Sequence, residues 1–195
     1  MNILGIIFAL AAGVFFGIIG PVTKTAYNLG AGVGLAIFLR YIVALLIVSP
    51  LIPYQKNLIK TYKDNFKLFL LITVASIMLT TGLLISVTYI NVSLTIIIFC
   101  TYPIIVLTIS IFVTKEKIKK IIKFLFITTF IGLFLALSPS SESLKVQGIA
   151  FALIASLGAS IMIVTNQTMS KKNISPIQIN IFINFFNTIF FFLIL

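Results

Sequence analysis

Few side chains in this sequence can do chemistry, and those that can stand apart from one another. Arg40 lies inside a long apolar run, where a guanidinium would be set to bind a carboxylate or phosphate. Tyr102 and Pro103 fall together in a second run, Thr80 with Thr81, Ser86 and Thr88 in a third, and Asn184 in the last. Such groups recognise a small solute; they do not by themselves break bonds. The chain has no His and one Cys, Cys100, so neither a metal cage nor a nucleophile–base pair can be assembled. Its three acidic residues, Asp64, Glu116 and Glu142, all lie in polar breaks between the apolar runs, which leaves no intramembrane acid–base pair and no carboxylate to couple protons. No enzyme activity, metal site or cofactor is expected.

Each candidate has a plainer use. Arg40 near the centre of a span costs about +2.5 to +3.5 kcal/mol on insertion scales, while the Leu, Ile, Val and Phe residues between Val33 and Ile52 contribute about −4 to −8 kcal/mol together. The span tolerates the charge, and either anion binding or a structural clamp onto neighbouring carbonyls explains its presence. Pro103 frees a backbone carbonyl in the turn before it, as in the broken helices that line transport sites, yet membrane helices also carry Pro with no such role. The hydroxyls around Thr80 serve a substrate or, more simply, helix-to-helix hydrogen bonds. Tyr102 reaches a cavity or marks an interface, as Tyr27, Tyr54 and Tyr89 are expected to. Glu116 among Lys115, Lys117, Lys119 and Lys120 reads as a solvated cluster at the headgroups. Cys100 reads as a small packed hydrophobe.

The elements that hold these residues must cross a bilayer. Hydrophobic residues make up 61% of the 195, charged residues 9%, and the mean hydropathy is +1.25, so polar side chains cannot cover a water-exposed surface. The net charge of +11 sits in short breaks between apolar runs, which argues against a nucleic-acid partner and for a lipid one. A crossing takes about 20 apolar residues. The charge-free run 68–114 would reach about 70 Å as one helix and must be two, turning near Asn91 and Ser93. Spans are expected at 3–23, 31–53, 68–90, 94–114, 119–138, 146–168 and 175–195, an all-α polytopic membrane protein with seven transmembrane helices. Lysines crowd the breaks after the second span (Lys56, Lys60, Lys63, Lys67), the fourth (Lys115, Lys117, Lys119, Lys120, Lys123) and the sixth (Lys171, Lys172); the opposite breaks hold only Lys24 and Lys145. That bias sets the N-terminus in the cytoplasm.

The chain also repeats itself. Gly5–Ala12 aligns with Gly148–Ala155 at an offset of 143 residues, with six identities in eight. The same offset maps the small-residue ladder Ala9, Gly13 and Gly17 onto Ala152, Ser156 and Ser160, a spacing that lets helix backbones approach closely. Five spans precede the restart, and an odd number inverts the second copy in the membrane. Residues 1–138 are then a five-helix repeat, 139–145 a linker and 146–195 the first two helices of a second repeat that at full length would run to roughly position 285.

Gly20-Pro21 with Lys24, the intramembrane Arg of Phe38-Leu39-Arg40, Tyr102-Pro103 in the fourth span and Thr114-Lys115-Glu116-Lys117 after it, in that order, resemble the EamA-type branch of the drug/metabolite transporter superfamily. The resemblance implies ten helices in the complete fold, a substrate cavity between the two repeats, and transport of small metabolites such as amino acids, nucleotides or drugs across the inner membrane. Alternating access on a small-molecule substrate, with Arg40, Thr80, Tyr102, Pro103 and Asn184 at the site, is the expectation. The open helix faces would be covered by a second copy of the chain or a second-half polypeptide. The competing expectation is a truncated, transport-inactive remnant that at most packs against other helices.

Overall fold

The computed structural model describes residues 3–55, 57–114 and 145–195, with isolated helical positions at 124, 127, 128, 131, 132 and 135 between the last two segments. All regular structure among the described residues is helical: α1 (Ile3–Asn28), α2 (Val33–Val48) with a 3-10 continuation (Ser49–Tyr54), α3 (Leu58–Asp64), α4 (Phe66–Tyr89), α5 (Val92–Phe99), α6 (Tyr102–Thr114), α7 (Val146–Lys171) and α8 (Pro176–Ile194).

Six helical segments among the described residues are long and apolar enough to cross a bilayer: α1, α2 with its continuation, α4, α5 with the start of α6, α7 and α8. Most of the fifth expected span, 119–138, the Lys-rich cluster around Glu116 and most of the linker lie outside the described residues. Two boundaries differ from expectation. Helix α1 runs through Pro21 to Asn28, where Gly30 (φ +91°) ends it: Gly30 N–H donates to Tyr27 C=O and Ala31 N–H to Ala26 C=O, closing the last turn. Residues 58–64, read as loop, form α3 after Asn57 takes a left-handed conformation (φ 55°).

Helix α7 ends the same way as α1, with Asn173 at φ 58° and Ile174 N–H bonded back to Met169 C=O. Four residues later in the chain α8 is already under way, because Ser175 caps it by accepting from Ile177 N–H and Pro176 fits its first turn.

Helix α4 is the centre of the bundle. It pairs antiparallel with α7 at backbone distance: a Cβ built on Gly82 would lie 2.6 Å from Phe151 C=O, and one on Gly158 2.6 Å from the Leu79 nitrogen. With little hydrophobic drive between helices in lipid, that approach and the hydrogen bonds beside it hold the pair. One is Ser86 Oγ donating to Gly148 C=O at 2.8 Å. On its other side α4 meets an antiparallel α2–α8 pair, marked by Tyr41 stacked on Phe191 with ring centres 5.7 Å apart. Tyr62 of α3 stacks on Phe182 at 4.4 Å and seals that end. Helix α1 is nearly all exposed, touching the rest through Gly20 against Val92, Phe16 against Phe99, and hydrogen bonds from Lys24 to Val87 C=O and Tyr27 to Leu84 C=O. The described lysines divide by end: Lys60, Lys63, Lys67, Lys171 and Lys172 gather where Lys172 meets Asn65, while Lys24 and Lys145 stand at the end where Gly148 meets Ile90.

Candidate functional site

The fourth span is broken. Helix α5 stops at Phe99 and α6 starts at Tyr102, with Thr101 N–H reaching back only three residues to Ile98 C=O. Pro103 follows in the first turn of α6. It has no N–H to offer Phe99 C=O four residues earlier, so the ladder cannot continue across the break. Hydroxyls from α7 secure it instead: Ser156 Oγ pairs with Thr101 Oγ1 at 2.9 Å, and Ser160 Oγ donates to Tyr102 C=O at 3.0 Å. Both serines are fully buried, as is Ala152.

Against this break, between α1, α4 and α5, lies a cavity of about 260 Å³. Phe16, Gly17 and Thr23 of α1, Phe99 of α5, and Cys100 and Tyr102 of the break line it with aliphatic residues of α4, and no charged residue does. Thr95 also contributes, but its buried hydroxyl is engaged by Ser86 at 3.0 Å. The other lining residues with polar side chains are Thr23, Cys100 and Tyr102.

Of the five residues singled out in the sequence, only Tyr102 lines this cavity. Thr80 is buried on the far side of α4, where its Oγ1 and the Tyr41 hydroxyl are 2.7 Å apart and Tyr41 also donates to Ser76 C=O at 3.2 Å. Asn187 of α8 completes that cluster, its Nδ2 donating to Ser76 Oγ at 2.6 Å while its fully buried Oδ1 has no partner among the described residues. Asn184 turns its amide onto Asn180 C=O of its own helix. Arg40 is half-buried on α2, with no hydrogen bond or ion pair among the described residues.

At the ladder expected to pack α1, a Cβ added at Gly13 or Gly17 would meet no atom of the described residues within 4 Å, and the side chain of Ala9 lies outside the described residues. The closest helix approach belongs to Gly82 and Gly158, which the sequence reading missed. Their signal was present: Ala75 and Gly82 stand seven residues apart on α4, and Ala155, Gly158 and Ala159 form one small-residue face of α7. Asn187 was also missed, as one amide among several in an apolar helix. Among the described residues no group of His, Cys, Asp or Glu side chains could hold a metal ion.

A bundle of six membrane-length helical segments among the described residues, one of them broken beside a small apolar cavity, is the architecture of a polytopic membrane protein. The profile of the EamA-like transporter family matches residues 3–138, and the chain belongs to that family, a family of membrane transporters rather than an enzyme class, within the drug/metabolite transporter superfamily. No curated protein and no solved structure matches the chain.

Proposed function

We propose that the chain forms the substrate pathway of a carrier for a small, uncharged, largely apolar metabolite, bound between α1, α4 and the α5–α6 break and released by alternating access. The observation that carries this reading is the coincidence of the cavity with the break: Phe99, Cys100 and Tyr102 flank or form the interruption of the helix and also line the space. Its volume is below the roughly 300–1,000 Å³ of pockets for drug-sized ligands, which suits a smaller solute. A carrier must expose its site to each side in turn, and a helix already interrupted at the site can shift one half without moving the other. In this reading the membrane is the inner one and the end bearing Lys60, Lys63, Lys67, Lys171 and Lys172 is cytoplasmic, with the start of α1 beside it.

The inverted repeat belongs to the same proposal. At the 143-residue offset, Gly13 and Gly17, where an added Cβ would meet no described atom within 4 Å, match Ser156 and Ser160, which are buried against the fourth span. The equivalent cover for α1 comes from a second-half polypeptide or a second copy of the chain.

A second reading is favoured by one observation. Arg40 is half-buried in a span without an ion partner among the described residues, and an unpaired intramembrane cation suits an anionic solute.

Membrane vesicles containing the chain, incubated with a mixture of uncharged and anionic metabolites and read by mass spectrometry, separate these. Gly17→Phe has room at the helix surface and fills the cavity, so it should abolish accumulation of the uncharged solute while Arg40→Ala leaves it intact. Loss of an anion in Arg40→Ala alone would transfer the site to Arg40. Vesicles no different from those lacking the protein would overturn transport and favour a transport-inactive, helix-packing role.

A further inference from the structure

At the lysine-rich end of the bundle the junction of α3 with α4 and the last turn of α7 enclose a cleft of about 630 Å³. Its polar wall consists of Lys63, Asp64, Asn65, Lys67, Thr168 and Lys172, three ammonium groups against one carboxylate. The cleft is a held shape as well as a cluster of charge. Lys172 Nζ donates to Asn65 Oδ1 at 3.1 Å, which ties the end of α7 across the start of α4, and Asn65 Nδ2 donates to Thr61 C=O at 3.1 Å, which fixes the turn between α3 and α4. No side chain caps the start of α4, so the positive end of a 24-residue helix faces the same space.

The cleft continues into an apolar track. Phe66 lines its floor at 49% exposure, and Leu70 and Val74 follow at helical steps of four with 53% and 46% exposure. These side chains form one exposed stripe down α4 from the charged end towards the middle of the helix. A free phosphate would use the cleft and ignore the stripe. A phospholipid would use both, with its phosphate among the ammonium groups and an acyl chain along Phe66, Leu70 and Val74.

We propose that this cleft is a binding site for the headgroup of an anionic phospholipid, with the α4 stripe as the bed for its acyl chain. The excess of lysine over acid selects an anionic headgroup over a zwitterionic one. The site is separate from the cavity beside the α5–α6 break and does not depend on what that cavity carries.

The test uses the whole chain purified in mild detergent, with thermal unfolding followed by circular dichroism and lipid retention by native mass spectrometry. Phosphatidylglycerol should bind and raise the unfolding temperature, phosphatidylcholine should do neither, and each of Lys63→Gln, Lys67→Gln and Lys172→Gln should weaken phosphatidylglycerol about fivefold. Lys60→Gln with Lys171→Gln removes two exposed charges from the same end that do not line the cleft, and should leave binding unchanged. Phe66→Ser should weaken the lipid alone. Equal losses in the cleft and control variants would overturn the site, as would equal binding of the two lipids. Inorganic phosphate matching the effect of phosphatidylglycerol would also overturn the proposal, because the stripe would then do nothing. Lys67→Glu, with Lys172 and its bond to Asn65 intact, supplies a charge reversal on a fold that the bond still holds; undiminished binding there counts against the proposal.

Discussion

Gly82 and Gly158 are where single atoms decide whether α4 and α7 meet. The atoms a side chain would strike are backbone atoms of the partner helix, Phe151 C=O and the Ala155 nitrogen on one side, the Leu79 nitrogen and Ala75 C=O on the other, and backbone cannot rotate away as a side-chain tip can. Gly82→Val or Gly158→Leu should therefore destabilise by at least the 1–3 kcal/mol typical of overpacking, seen as a lowered melting temperature in detergent, whereas Gly13→Ala should leave it unchanged. An unaltered melt for Gly158→Leu would mean that the two helices do not touch there. At this scale the sequence was only partly legible. A ladder of small residues announces that some helix can come close, but Gly17 and Ser160, matched at the 143-residue offset, have different surroundings, one at the cavity wall and one buried against the fourth span. Arg40 was conspicuous because a charge in an apolar run always is. Asn187 was not, because an amide reveals itself only when a hydroxyl on another helix, here that of Ser76, arrives to meet it.

Six of the seven expected spans have helical counterparts among the described residues that match to within a few residues, since the length of an apolar run and the bilayer thickness constrain each other. The turn at Asn91 and the interruption near Pro103 were both marked by residue type. The exception, α3, is seven residues long with no buried side chain, so it leaves no apolar period to read. The break between α5 and α6 carries the element-scale prediction. Pro103→Ala restores an N–H that can donate to Phe99 C=O, and the two helices can then join into one. The variant should melt no lower than the parent but lose most of its solute accumulation in the vesicle assay, because the wall formed by Phe99, Cys100 and Tyr102 is drawn into a regular turn. Full transport by a stably folded Pro103→Ala variant would show that the interruption is incidental to the cavity.

The arrangement of the whole molecule was the least legible part. Spans can be counted along a chain, but nothing in their order says that α4 pairs with α7 or α2 with α8; those pairings rest on a handful of glycines, serines and aromatic rings that meet across long separations. The α4–α7 pair has a consequence for how the protein is made. The face of α4 that α7 covers includes buried Gly82 and Ser86, and the last residue of α7 is synthesised 82 residues after the last of α4, at positions 171 and 89. At about 5–20 residues per second the ribosome needs roughly 4–16 s to supply the partner. Through that interval hydroxyls and bare backbone on α4 stand against lipid or against the insertion machinery. A photocrosslinker at position 82 should capture one of them in nascent chains stalled after Thr114 and neither in chains extended to Leu195. Equal capture at both lengths would mean that α4 reaches its final surroundings before α7 exists.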